Sequence, residues 1–422
     1  MKRTNRSFLP EWPSMLAVAM LILAGSVLSV AQKETVLYRF KGGSDGISPQ
    51  GSLVADQAGN FYGTTYRGGA SDVGTVYQLK APHWAETVLY SFQAGADGYS
   101  PVGSLVFDQA GNLYGVTVWG GSENGGTIFK LTPQGGSWAE TVIYSFPSRS
   151  GPQPGLVFDS AGDLYGATGS GGENNLGAIF QMTPSQGSWT QTVIYSFVGG
   201  KNGYAPSWGP IMSKEGKLFG LMDVVDGFHG AVYELRPPAN QRDSWTESVL
   251  FNFESNVLPY GQLLFDQNGN LDGVTYLGGS GLGTVFQLTR ASHRSWTENV
   301  LYSFTGSDGS GPEGTLISDH AGNLYGTTIH GGSGGSCGRQ SPDCGTIFKL
   351  TPPAKQGGSW TETVLHNFGT GRWDGNQPNT GLIRGKTGAL YGTTQLGGKG
   401  ERRMCDGAQG CGAVYRIRLR AE

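Results

Sequence analysis

One seven-residue word is written seven times in this sequence. It first reads "ETVLYRF" (34–40), and returns as "ETVLYSF" (86–92), "ETVIYSF" (140–146), "QTVIYSF" (191–197), "ESVLFNF" (247–253), "ENVLYSF" (298–304) and "ETVLHNF" (362–368). Every later copy ends a longer unit, whereas the first stands alone. Repeats of one supersecondary unit bury their apolar faces by stacking on their neighbours, so an unmatched copy at one end constrains how the stack finishes.

The unit holds four short apolar segments in a fixed order: "GSLVFD" (103–108), "NLYGVT" (112–117), "GTIFKLT" (126–132) and "WAETVIYSF" (138–146). Each is rich in β-branched and aromatic residues and bounded by Gly, Asp, Asn or Pro, which is how strands are written. "DQAGN" (56–60 and 108–112) joins the first two, its glycine supplying φ > 0 and its Asp or Asn closing the turn. The segments therefore form a four-stranded antiparallel meander. Successive copies of the seven-residue word are 52, 54, 51, 56, 51 and 64 residues apart. Four strands in about 50 residues is the size of a β-propeller blade.

Seven sets of the first three strands lie between "GSLVAD" (51–56) and "GAVYRIRL" (412–419). The last set has no fourth strand, and the chain opens on a spare one. The expectation is an all-β, seven-bladed β-propeller of four-stranded antiparallel blades, closed by the N-terminal strand 34–40 joining the last blade. Pairing the two ends protects an otherwise open sheet edge. In the fourth strand, alternation places Val88, Tyr90 and Phe92 on one face and Leu89 on the other. Six tryptophans open fourth strands (Trp84, Trp138, Trp189, Trp245, Trp296, Trp360) and are assigned to packing between blades.

The pattern "SLVFDxxGNLYGTTxxGG…GTIFKLTP…SWTETVLYSF" resembles the GloVer tandem-repeat family of exported bacterial proteins, over roughly residues 34–420. The resemblance implies a propeller-like protein at the cell surface or beyond, and brings no chemistry with it. Some members carry a C-terminal anchor; this sequence ends "RIRLRAE", without an apolar tail. The Gly-Gly after the second strand and the Trp of the fourth are also similar to kelch repeats, a looser likeness that bears on fold alone.

Lys2, Arg3 and Arg6 precede an apolar run from about Met15 to Val30, and Ser29-Val30-Ala31 follows the pattern read by signal peptidase. The run is shorter than the ~20 residues of a membrane span. Residues 1–31 are thus read as a signal peptide cleaved near Ala31, and 32–422 as a single propeller domain, secreted, periplasmic or at the cell surface, and monomeric. Cleavage moves the formal charge from −3 to −5 and leaves no basic stretch to follow phosphates, which argues against nucleic acid. The 72 glycines stand at fixed offsets beside the strands, as turn residues.

All four cysteines lie late in the chain, in loops 331–345 and 397–412. Cys337–Cys344 and Cys405–Cys411 are the economical disulfides, each closing a short loop worth roughly 2.5 kcal/mol by chain entropy. A cross-pairing stays open. A four-thiolate metal site is the rival, without the CxxC spacing such sites favour.

The short turns share one face of the disc; the second-to-third-strand links and the blade-to-blade links share the other. On this second face, links of the form "G-x-[DN]-G-x-x-P" carry Asp45, Asp97, Asn202, Asp308 and Asp374. One carboxylate per loop is poor provision for Ca²⁺, which takes six or more oxygens, so these are read as turn residues. Where the second strand ends, before the Gly-Gly present in six of the sets, the repeat stops repeating: Tyr66 and Arg67, Trp119, Asp223 (in the set without Gly-Gly), Tyr276, His330. Trp208 and Trp373, with Tyr99, Tyr204 and Tyr260, map to the same face. Variable residues in a fixed frame are where specificity is written. Tyr66, Arg67, Trp119, Trp208, Tyr276, His330 and Trp373 are therefore the candidate ligand-binding set, suited by flat rings and polar edges to a glycan or cell-envelope component. Covering long loops is the competing role for these rings.

Candidates for catalysis are thinner: Asp223, Asp226, His229 and His330, over the central channel, for a polysaccharide hydrolase or lyase. A non-catalytic envelope or matrix scaffold is the third reading. Asp272 stands where the other sets have Tyr or Phe. His366 is assigned to packing. No nucleophile elbow, metal-binding helix or phosphate loop is present, so neither a metal nor a cofactor is expected.

Overall fold

The computed structural model describes residues 34–200, 203–224, 229–240, 243–291, 295–333, 344–355, 357–370, 374–398, 405 and 410–419. Residues Gln32–Glu422 form one compact unit, and the proposed signal segment lies outside the described residues. Seven antiparallel sheets follow one another as the seven blades of a β-propeller. Among the described residues there is no α-helix, and none long and apolar enough to cross a membrane.

Blade 2 shows the plan. Its strands Tyr99–Phe107, Leu113–Trp119, Thr127–Gln134 and Ser137–Ser145 pair in chain order. Blade 7 departs from that order, because its fourth strand is Glu34–Arg39 from the other end of the chain. That strand runs antiparallel to Ala413–Ile417, with Glu34 opposite Ile417, Val36 opposite Tyr415 and Arg39 opposite Ala413. The ring closes as the spare strand required.

Stability is distributed among seven seams rather than gathered in one core. Each of seven apolar clusters lies between adjacent blades. The phenylalanine ending each fourth strand meets an aromatic ring on the third strand of the next blade. Phe92–Phe129, Phe197–Tyr233 and Phe304–Phe348 have ring centroids 5.1, 5.5 and 5.1 Å apart. The closing seam repeats this contact, Phe40 on Tyr77 at 5.0 Å. The fourth-strand tryptophans pack backwards: Trp138 on Tyr62, Trp189 on Tyr114 and Trp84 on Tyr391, as their repetition implied. Edge-to-face pairs of this kind add about 0.5–1.5 kcal/mol each beyond the area they bury.

Simple alternation fails in the fourth strand. Tyr77 lies opposite Val88 but its neighbour Val76 lies opposite Tyr90, so Leu89 is an extra residue. The same register shift occurs in the fourth strand of every blade. The bulge sets Val88 and Tyr90 on opposite faces and lets Leu89, Tyr90 and Phe92 all pack into the seam with blade 2.

The glycine of "NLYGVT" is fixed by the aromatic behind it. A Cβ on Gly115 would lie 2.5 Å from Cζ of Phe129 and 2.8 Å from Leu105. Gly115→Ala is expected to cost about 1–3 kcal/mol by overpacking, read as a lower urea midpoint at unchanged m-value. Gly111→Ala, in a turn with open space around it but at φ +83°, tests the backbone instead.

In blades 1, 2, 3, 5 and 6 the turn that follows the first strand is held by an Asp (Asp56, Asp108, Asp159, Asp266, Asp319); Ser213 takes that place in blade 4 and Gly385 in blade 7. Asp108 accepts hydrogen bonds from Asn112 N at 2.9 Å, Asn112 Nδ2 at 2.6 Å and Tyr114 Oη at 3.0 Å. Burial alone would raise its pKa, but these donors outweigh burial and hold the carboxyl below its usual value.

Candidate functional site

The innermost strands crowd the axis. Gly51 abuts Gly103, Gly103 abuts Pro154 and Gly209 abuts Gly155, leaving no room for a Cβ. On the face of the blade-to-blade links the axis opens into a cavity of about 250 Å³. All seven blades line it: Gln50, Val102, Gln153 and Pro154, Trp208, Tyr260, Glu313 and Asn379, in blade order. In each blade the lining residue falls between the link proline and the inward turn of the first strand.

Two features dominate the cavity. The first is an aromatic wall: Trp208 meets Tyr260 edge-on, centroids 6.1 Å apart, and Tyr260 lies 6.3 Å from Tyr276. The second is Glu313, whose carboxyl is pushed up to about 7 by burial. Burial, and then the charge of Glu313, raise the phenols of Tyr260 and Tyr276. The amides of Gln50, Gln153 and Asn379 complete the wall. Oδ1 of Asn379 is buried and has no protein hydrogen-bond partner.

The structure divides the residues expected from sequence. Trp208 lines the cavity, and Tyr276 backs it through Tyr260. Trp119 is 45% exposed and stands outside, opposite Tyr99 in the sheet. Arg67 pairs with Asp72 at 3.4 Å on the rim, opposite Ile47, and Tyr66 precedes it there. His330 lies opposite Ser310, Asp223 opposite Tyr204, and His229 opposite Val224. None of these residues lines the axial cavity. Trp373, Asp226 and Cys337 lie outside the described residues. Cys405 is joined to Cys411, and both are buried in the closing seam; Cys344 is also disulfide-bonded.

Missing from the sequence reading were Gln50, Gln153, Glu313 and Asn379. Their signal was available: the residue after the link proline varies among copies (Pro49-Gln50, Pro101-Val102, Pro152-Gln153, Pro259-Tyr260, Pro312-Glu313, Pro378-Asn379). Two of the link carboxylates, Asp45 and Asp97, are committed within their own turns. Asp45 accepts from Tyr38 Oη at 2.8 Å and Lys41 N at 2.6 Å, and Asp97 from Tyr90 Oη at 3.0 Å and Gln93 N at 2.8 Å.

Larger clefts, about 570 and 560 Å³, open between blades on the opposite face. They are lined by turn and tryptophan positions common to the repeat, such as Asp108, Asp159 and Trp189. Because Asp108 is already committed to its own turn, the variable axial cavity is the better candidate.

The repeat profile described as "Gloeobacter/Verrucomicrobia repeat" matches residues 24–229 and again 223–422. The chain belongs to this repeat family. No curated protein matches its sequence. Among solved structures, this repeat protein is similar to the extracellular domain of a candidate one-component system from B. thetaiotaomicron (13% identity, TM-score 0.53, 91% of this chain and 41% of that one). It is also similar to a candidate oxidoreductase (glucose dehydrogenase) from Thermus thermophilus (17%, 0.47, 92% and 100%). A third is a gluconolactonase from Xanthomonas campestris (11%, 0.43, 94% and 93%). At these identities the likeness concerns the fold.

Proposed function

We propose that this repeat protein is an exported carbohydrate-binding module whose site is the axial cavity. The observation that carries this reading is the meeting of the Trp208–Tyr260 wall with Glu313 and the amides of Gln50, Gln153 and Asn379. A sugar ring offers an apolar face to an indole and hydroxyls to amides and a carboxyl. At about 250 Å³ the cavity is below the ~300–1,000 Å³ of drug-sized sites, which fits one sugar ring or a chain end. The paired Cys405 and Cys411 suit an oxidising, extracytoplasmic compartment.

Hydrolysis is less well supported. Glycosidases generally use two carboxyl groups, and Glu313 is the one carboxylate among the described residues lining the cavity. Asp223, His229 and His330, the earlier catalytic candidates, do not join it.

A glycan array followed by calorimetry tests the assignment. Trp208→Ala should weaken binding at least tenfold, as loss of a buried aromatic anchor does, whereas Trp119→Ala should change it less than threefold. Glu313 donates a proton below pH about 7 and only accepts above it. Affinity should therefore vary between pH 6 and 8, and Glu313→Gln should flatten that profile. A silent array would end the proposal; the opposite ranking of the two tryptophans would move the site to the rim.

A further inference from the structure

At the seams of blades 1, 2 and 6 with the blade before, the polar contact follows one pattern. A fourth-strand tyrosine donates to the link Asp, and a fourth-strand Glu of the next blade lies close by. The groups are Tyr38, Asp45 and Glu86; Tyr90, Asp97 and Glu140; and Tyr302, Asp308 and Glu362. The three phenol–carboxylate distances are 2.8, 3.0 and 2.5 Å. Where blade 7 meets blade 6, the tyrosine is replaced by His366, the link residue is Asp374, and the Glu is Glu34 of the closing strand.

That replacement changes the chemistry. His366 Nε2 lies 3.5 Å from Asp374 Oδ2 and 3.9 Å from Glu34 Oε2, and donor atoms of all three residues fall within 4.8 Å of one another. Ligands ~2.1 Å from a tetrahedral ion stand ~3.4 Å apart, which the His366–Asp374 spacing meets and the wider Glu34 spacing reaches by a small side-chain shift; Asp374 Oδ2 also accepts from Thr370 N and Oγ1 at 3.3 Å, which orients it. His366 is only 8% exposed and its Nε2 has no hydrogen-bond partner; Glu34 Oε1 and Asp374 Oδ1 have none either. Two enclosed carboxyls facing an imidazole are costly unless a proton or a cation is shared between them; without a metal, burial and Asp374 push the Glu34 carboxyl up to about 9, so that it holds the proton, and a metal would displace it. Phe368 holds the imidazole edge-on at 4.8 Å.

We infer that Glu34, His366 and Asp374 form a binding site for a divalent transition metal, Zn²⁺ being the best match to one imidazole and two carboxylates. The ion would tie the N-terminal strand, the fourth strand of blade 6 and the link into blade 7 at a single point. It would act as a clasp on the closed ring, apart from the axial cavity.

The test uses the tag-free chain 32–422, stripped with EDTA and titrated with ZnCl₂. Elemental analysis after gel filtration should give one Zn²⁺ per chain, and Zn²⁺ should raise the melting temperature by several degrees. Co²⁺ should bind with visible d–d absorption. His366→Tyr, which restores the residue of other seams, should fold in EDTA like the parent and lose both responses. Glu34→Gln is the second variant, since blade 3 carries Gln191 at that position; it should weaken Zn²⁺ binding at least tenfold. Absence of uptake by the parent would overturn the inference. Undiminished 1:1 uptake by both variants would do so too, by placing the metal elsewhere.

Discussion

A chain beginning after Lys41 is expected to lose its closed fold. The deletion strips blade 7 of Glu34–Arg39 and bares the edge of Ala413–Ile417. It also removes Phe40, 0% exposed, from the ring of Tyr77. Loss of one buried Phe side chain costs about 3–5 kcal/mol. A whole domain is stable by only about 5–15 kcal/mol, so losing the strand as well leaves little or nothing. The bared edge is a template for pairing with another chain. Light scattering should find oligomers or aggregate, and circular dichroism a broadened melt. A synthetic peptide covering 33–41 in excess should restore a single cooperative transition. A truncated chain of parental size melting at the parental temperature would show that the end strand is dispensable.

Asp272→Asn should stabilise the protein above neutral pH and leave it unchanged near pH 4. In blade 1 the corresponding Tyr62 donates to Asp56 at 3.0 Å and accepts from Gln78 at 2.6 Å. Asp272 is 1% exposed and keeps only the second contact, from Gln287 at 2.8 Å. Burial raises its carboxyl to about 7, with Gln287 opposing and the charge of Asp266 adding. The unfolded chain ionises near pH 3.8 and the folded chain near 7. Stability is therefore lost as pH rises across that window and stays low above it. The penalty is on the order of 4 kcal/mol. Asparagine has no charge to bury and retains an acceptor for Gln287. Melting curves at pH 4 and 8 decide the matter: an equal gain at both would mean packing, not ionisation, is responsible.

Fold and ring closure were legible because each depends on counting. Seven fourth-strand words against six complete sets leave one strand over, and an open edge makes that strand useful. The bulge at Leu89 was not legible, since an extra residue leaves a seven-letter word looking like ordinary alternation. The aromatic wall was visible, because Trp208, Tyr260 and Tyr276 break the repeat with large rings. Glu313 and Asn379 were hidden by their position: whether a residue after a proline points to the axis depends on how the innermost strand bends, which residue types do not encode. In sequence His366 reads as a packing residue, because its partners arrive from residues 34 and 374 and only the closed ring brings them together.

The pairing of Glu34–Arg39 with Ala413–Ile417 also sets a clock. The first strand to be made is the last to find its partner, some 370 residues later in synthesis. At about 5–20 residues per second that wait is roughly 20–75 seconds. Six blades can be assembled by then, while the opening segment, apolar and unpaired, must be kept from rival edges. A newborn chain of this kind depends on whatever shelters its leading end until the circle can be completed.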